Sequence, residues 1–111
     1  MEEESRLEQF QKAVEMYPDD ELAHFGLGRC YYDAEDFENA VRSFRRVIAL
    51  KPDYSAAYRH LGQALEKAGL VAEAQEVYES GIEIAREKGD LQTGKEMAVF
   101  LKRLRKRGQG G

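Results

Sequence analysis

Apolar positions recur along this chain at the three- and four-residue spacing of helix faces. No segment shows the alternation of a strand. His24, Leu27, Gly28 and Tyr31 lie at i, i+3, i+4 and i+7, one helical stripe. A polar break at Ala34-Glu35-Asp36 separates it from a second stripe of Phe37, Ala40, Val41, Phe44, Val47 and Ile48. That stripe ends at Leu50-Lys51-Pro52, because proline turns its predecessor away from helix. The scheme then repeats with Tyr58, Leu61, Gly62 and Leu65, a break at Ala68-Gly69, and Val71, Ala74, Val77, Tyr78 and Ile82. Ahead of it, Leu7, Phe10, Ala13, Val14 and Tyr17 run up to Pro18; behind it, Asp90 can cap a helix with the stripe Leu91, Met97, Phe100, Leu101 and Leu104. The pattern predicts six helices and an all-α chain.

The two prolines, Pro18 and Pro52, stand 34 residues apart. Laying Glu21–Tyr54 over Ser55–Lys88 pairs Ala23/Ala57, Leu27/Leu61, Gly28/Gly62, Ala34/Ala68, Ala40/Ala74 and Ile48/Ile82, with Phe44/Tyr78 as a conservative match. These are small and aliphatic residues, the kind required where helices approach closely. Gly28 and Gly62 would each cost up to ~1 kcal/mol against alanine inside a helix, which close packing offsets.

The first unit reads His24-x-x-Leu27-Gly28-x-x-Tyr31, Ala40-x-x-x-Phe44 and Pro52. It resembles the tetratricopeptide repeat, whose period and Trp-x-x-Leu-Gly-x-x-Tyr…Ala-x-x-x-Phe…Pro pattern it follows with His24 in place of tryptophan. The second unit departs further, with Tyr58, Leu65 and Tyr78 at the aromatic positions and Arg86 where proline would stand, so its second helix is expected to run on. The resemblance implies a short right-handed α-solenoid of antiparallel helix pairs in one domain, residues 1–107. Its expected parts are a half repeat (1–18), repeat one (21–54), repeat two (55–88), a capping helix (90–107) and a mobile tail (108–111). A terminal helix with a polar outer face closes the apolar end that such stacks leave open.

Opposite the packing stripes lie Leu22, Phe25, Arg29, Tyr32 and Asp33 in one first helix, and Ala56, Arg59, His60, Gln63, Glu66 and Lys67 in the other. The resemblance implies that these faces line a concave groove that holds peptides. Leu22, Phe25, Arg29, Tyr32, Arg59, His60, Gln63 and Lys67 are the groove candidates, with Arg29, Arg59 and His60 placed to receive an acidic group. Gly26 would let a bound segment approach the helix backbone. The carboxylate clamp of some family members is not carried over, since Phe25 occupies one of its lysine places.

No constellation points to catalysis or to a cofactor. Glu21-x-x-His24 is half of a di-iron motif without its other half, and His24 falls on the packing stripe. Gly26-x-Gly28 lacks the third glycine and the preceding strand of a nucleotide fingerprint. Cys30, the single cysteine, has no histidine one turn away to activate it. The reading is a non-catalytic interaction module with no metal.

Composition narrows the picture further. The 111 residues carry a net charge of −4, which opposes polyanion binding by the whole domain. No apolar run approaches the ~20 residues of a membrane span, and the start Met1-Glu2-Glu3-Glu4 is acidic where a targeting signal would be basic; a cytoplasmic location is the expectation. The charge is polarised. Residues 1–20 hold seven acids and two bases, whereas Lys102, Arg103, Arg105, Lys106 and Arg107 crowd the last helix. Those cations complement the helix dipole; the alternative is a nucleic-acid accessory role for this basic end. The expected partner is a protein or peptide, with an acidic segment the favoured ligand. Self-association as a weak homodimer through apolar residues of the first helix is the competing outcome to a monomer.

Overall fold

The computed structural model describes residues 4–109, and among them the backbone forms six helices and no strand: α1 (Arg6–Met16), α2 (Glu21–Asp33), α3 (Phe37–Leu50), α4 (Ser55–Lys67), α5 (Val71–Lys88) and α6 (Leu91–Gln109). Four of them begin at a polar residue whose side chain accepts an amide hydrogen that the first turn leaves free. Ser5 accepts from Glu8, Asp20 from Leu22, Asp36 from Asn39, and Asp90 from Thr93. Asp90 also accepts a 2.6 Å bond from the Ser55 hydroxyl, which ties the start of α6 to the start of α4. These bonds hold the Asp90 carboxyl below its ordinary pKa.

Each helix packs on the next along the chain, and α4 also meets α6. Short connections make successive helices antiparallel neighbours. The pairing rests on glycines that admit aromatic rings. A Cβ on Gly28 would lie 2.7 Å from the Phe44 ring, and one on Gly62 would lie 2.1 Å from the Tyr78 ring. Both rings are fully buried. Gly81 of α5 admits a thioether rather than a ring: a Cβ there would come within 2.6 Å of Met97 Sδ on α6 and of Tyr58 Cβ on α4.

Repeat equivalence extends to hydrogen bonds. His24 Nε2 lies 2.8 Å from the Pro18 carbonyl, and the Tyr58 hydroxyl donates to the Pro52 carbonyl at 2.7 Å. The two side chains and the two prolines are each one repeat apart, so each pair pins a first helix to the turn before it.

Helix α5 has 18 residues against 14 in α3, as the absence of a proline near Arg86 implies. Met97, Leu101 and Leu104 of α6 are buried. Three expectations need correction. Leu91 and Tyr17 leave their predicted stripes: they are 68% and 60% exposed, because each stands at a helix end with no neighbour over it. The tail expected from Gly108 is helical through Gln109, since α6 continues unbroken; Gly110 and Gly111 lie outside the described residues.

His60, expected to face a groove, borders a cleft between α2 and α4 and also packs into the junction between repeats. Its ring meets Phe25 edge-on at 4.9 Å and stacks on Phe44 at 5.5 Å. Phe25 in turn stacks on Tyr54 at 5.3 Å. Burial, reinforced by the Arg59 and Arg29 charges, pushes the His60 pKa from 6.5 down to about 4. The native state thus binds fewer protons here than the unfolded chain between those values. This share of the stability is complete above the ordinary pKa and is lost as pH falls toward 4. It amounts to at most about 3 kcal/mol. In His60→Phe, urea stability should fall less than in the parent between about pH 7 and pH 4.5; parallel losses would refute the assignment.

The α2–α3 turn supplies a second test. Glu35 sits at φ 60°, whereas Gly69, its equivalent one repeat on, sits at φ 82°. A side chain in this left-handed region costs about 1–2 kcal/mol, against about 0.5–1 kcal/mol of extra chain entropy for glycine. Glu35→Gly should therefore raise Tm by a few degrees, measured by circular dichroism; a lower Tm would contradict the strain argument.

Candidate functional site

Positions at i, i+3 and i+4 on the two first helices meet on one side of the stack. Arg29, Tyr32 and Asp33 of α2 join His60 and Gln63 of α4 around a cleft of about 150 Å³. Tyr32 and Gln63 also border a second cleft of about 250 Å³, completed by Glu66, Lys67, Phe100, Arg103 and Arg107. The shared residues make the two clefts one continuous surface. Arg29/Gln63, Tyr32/Glu66 and Asp33/Lys67 are each one repeat apart, so the surface is itself built by the repeat.

The floor of this surface is aromatic. Phe100 lies 5.7 Å from Tyr78, and the Arg103 guanidinium sits 5.1 Å over the Phe100 ring. The buried Tyr78 hydroxyl donates to Glu66, whose other oxygen lies 3.6 Å from the Arg107 guanidinium. Burial and the Glu66 charge push the Tyr78 pKa far above its ordinary value. Tyr32 is raised by burial and by Glu66 and Asp33, so both phenols are neutral hydrogen-bonding groups. Among the cleft's cations, Arg29, Lys67, Arg103 and Arg107 are exposed. Glu66 is engaged by Tyr78 and Arg107, and Asp33 is the other acid of this surface, so four cations face two carboxylates.

The sequence candidates divide into three sets. Arg29, Tyr32, Gln63 and Lys67 line the joined clefts, with His60 at their edge. Phe25 and His60 serve mainly to pack the repeat junction. Arg59 turns away toward α6, where its Nε lies 3.8 Å from Glu96, and Leu22 is 62% exposed and lines neither cleft. The role expected for Gly26 is corrected: the Phe10 ring of α1 covers it, and a Cβ there would meet that ring at 2.1 Å. A bound segment cannot use that place.

The basic end also divides. Arg103 and Arg107 face the cleft. Arg105 pairs with Glu79 at 3.2 Å, and Lys102 and Arg105 border a different cleft between α5 and α6, while Lys106 borders both that cleft and the surface of Glu66, Arg103 and Arg107. Sequence reasoning treated α6 as a cap and so missed Phe100, Arg103 and Arg107 as lining residues. Their spacing of i, i+3 and i+7 was the available signal.

Among the described residues, no three His, Cys, Asp or Glu side chains gather as metal ligands. No described helix is long and apolar enough to cross a membrane.

Comparison with known proteins agrees with this architecture. The tetratricopeptide repeat profile matches residues 7–41 and 31–89. A TPR repeat-containing protein of Pseudomonas aeruginosa is 40% identical over 98 residues, which cover 88% of this chain and 93% of that one. The solution structure of a protein from Bordetella parapertussis is 33% identical, with a TM-score of 0.82 over 95% of this chain and 91% of that one. The first TPR of Spaghetti, bound to the HSP90 peptide SRMEEVD, shares the fold at a TM-score of 0.80 and 19% identity, over 91% and 75% of the two chains. TPR domains mediate protein–protein interaction and are generally non-catalytic scaffolds. The chain belongs to the tetratricopeptide repeat family.

Proposed function

We propose that the face shared by α2, α4 and α6 binds an extended, acidic segment of a partner protein. The observation that carries this reading is the joined cleft itself. An aromatic floor of Tyr32 and Phe100 is ringed by Arg29, Lys67, Arg103 and Arg107, with Gln63 at its middle. Aromatic rings provide contact area at little entropic cost, and guanidinium groups favour carboxylates through paired hydrogen bonds. The Spaghetti neighbour supports the choice of ligand, since its bound peptide carries two glutamates and a terminal aspartate.

The test is calorimetric titration of the 111-residue chain with an acidic heptapeptide such as SRMEEVD, beside a control in which each Glu and Asp is replaced by its amide. Arg29→Ala and Arg103→Ala should each weaken binding about tenfold or more, because one charged hydrogen bond contributes ~1.5–3 kcal/mol. Helicity should be unchanged, as both side chains are exposed. Equal binding of peptide and control, or unaltered affinity in both variants, would move the binding surface elsewhere. A steep fall in affinity for duplex DNA with salt, absent for the peptide, would favour the polyanion alternative.

A further inference from the structure

The order of helices leaves two unmatched halves. Helix α1 has the pattern of a repeat's second helix. Its Phe10 stands 34 residues before Phe44 and 68 before Tyr78. Phe44 and Tyr78 are fully buried against the glycine of their own first helix, whereas no residue of α1 is fully buried and Phe10 is covered on the α2 side alone. Helix α6 has the pattern of a first helix. Its buried Met97 and Leu101 correspond to the buried Leu61 and Leu65 of α4, which places Ala98 where α4 has Gly62. Ala98 is exposed, and no described helix lies over it. It borders a cleft of about 610 Å³ with Ile82, Leu101, Lys102, Arg105 and Lys106.

We propose that the open face of α6 receives α1 of a second copy of this chain, so that the two halves complete a repeat across the contact. The register is complementary. Phe10 would enter the cleft over Ala98 as Tyr78 enters over Gly62. Ala13 would then face Gly94, at the crossing where Gly81 faces Tyr58 within the chain. Both ends of that crossing are small, as close approach requires. Charge points the same way. Residues 1–20 hold seven acids and two bases, while 102–107 holds five cations, of which Lys102, Arg103 and Lys106 are in no ion pair among the described residues. One departure sets the strength: Arg6 stands where α3 and α5 have buried Ala40 and Ala74. Its bulk holds the first turn of α1 off the partner, which gives a weak and reversible contact. The two patches differ, so the association is head-to-tail and does not close at a dimer. Lys106 borders both surfaces, but Ala98 and Lys102 lie outside the α2, α4 and α6 face, and stacking would lengthen that face.

Sedimentation of the intact 111-residue chain from about 10 μM to about 1 mM tests this. The expected mass rises with concentration from the 12.7 kDa monomer past the dimer value without a plateau, and less so at high salt. Ala98→Glu, at an exposed helical position, should stay monomeric with unchanged circular dichroism. Added to the parent chain, it should lower the average mass, because its α1 still caps a stack that its α6 cannot extend. Lys102→Glu, also exposed, should weaken association about two- to fivefold. A parent chain that remains a monomer at about 1 mM overturns the proposal. So does a dimer plateau that Ala98→Glu retains, which would mean a symmetric contact through α1.

Discussion

An aromatic ring of one helix fills the space that an absent Cβ leaves on its partner, at Gly28 with Phe44 and at Gly62 with Tyr78. The glycines weaken their own helices by up to ~1 kcal/mol each. Full burial of one large side chain returns about 1.5–3 kcal/mol, so the exchange favours the packed pair. It also sets the distance between helices, and every later feature inherits that distance. A side chain at either glycine would force its ring out, and the surface above would lose its alignment.

The same rings connect the interior to the cleft. Tyr78 is buried among apolar groups, yet its hydroxyl reaches Glu66 on the cleft wall, and Glu66 lies beside Arg107 of α6. Phe44 supports His60, and His60 holds Phe25 against Tyr54. The phenol and the imidazole thus occupy mixed environments, one side packed and the other near charge. Desolvation and the Glu66 charge act together at Tyr78 against a smaller opposing effect of Arg103, and desolvation acts together with the arginine charges at His60. Both stay neutral in the working range. The positive character of the cleft therefore comes from its arginines and Lys67 alone.

Helix α6 carries two roles that compete for its surface. Its apolar stripe covers α5, as a terminal helix must in a stack. The row Phe100, Arg103, Arg107 completes the cleft with α2 and α4, while Ala98 and Lys102 remain on an open side. A helix that ends one core is thereby also the third wall of a binding surface. Its exposed arc is accordingly mixed, with Lys102, Arg103 and Arg107 beside the exposed Leu91, Ala98 and Val99.

The sequence by itself determined the six helices, their pairing and the core. Those properties are written in local spacing: Leu27-Gly28-x-x-Tyr31 and its copy at Leu61 must pack one way, and proline or glycine must end each unit. Asp90 marked the start of the last helix in the same local manner. Arg29, Tyr32, Gln63 and Lys67 were legible as neighbours because a fixed period carries one helix face onto the next. What the tertiary structure alone decided is which outward residues remain outward. Helical phase gives a direction but not a depth, so it could not show that Phe25 and His60 sink between repeats or that Phe10 covers Gly26. Nor could it show Arg59 turning to Glu96. The 18 residues of α5 and the short turn at Gly89-Asp90 shift α6 relative to the strict period. That shift brings Phe100, Arg103 and Arg107 to the cleft, and it depends on contacts between residues far apart in the chain.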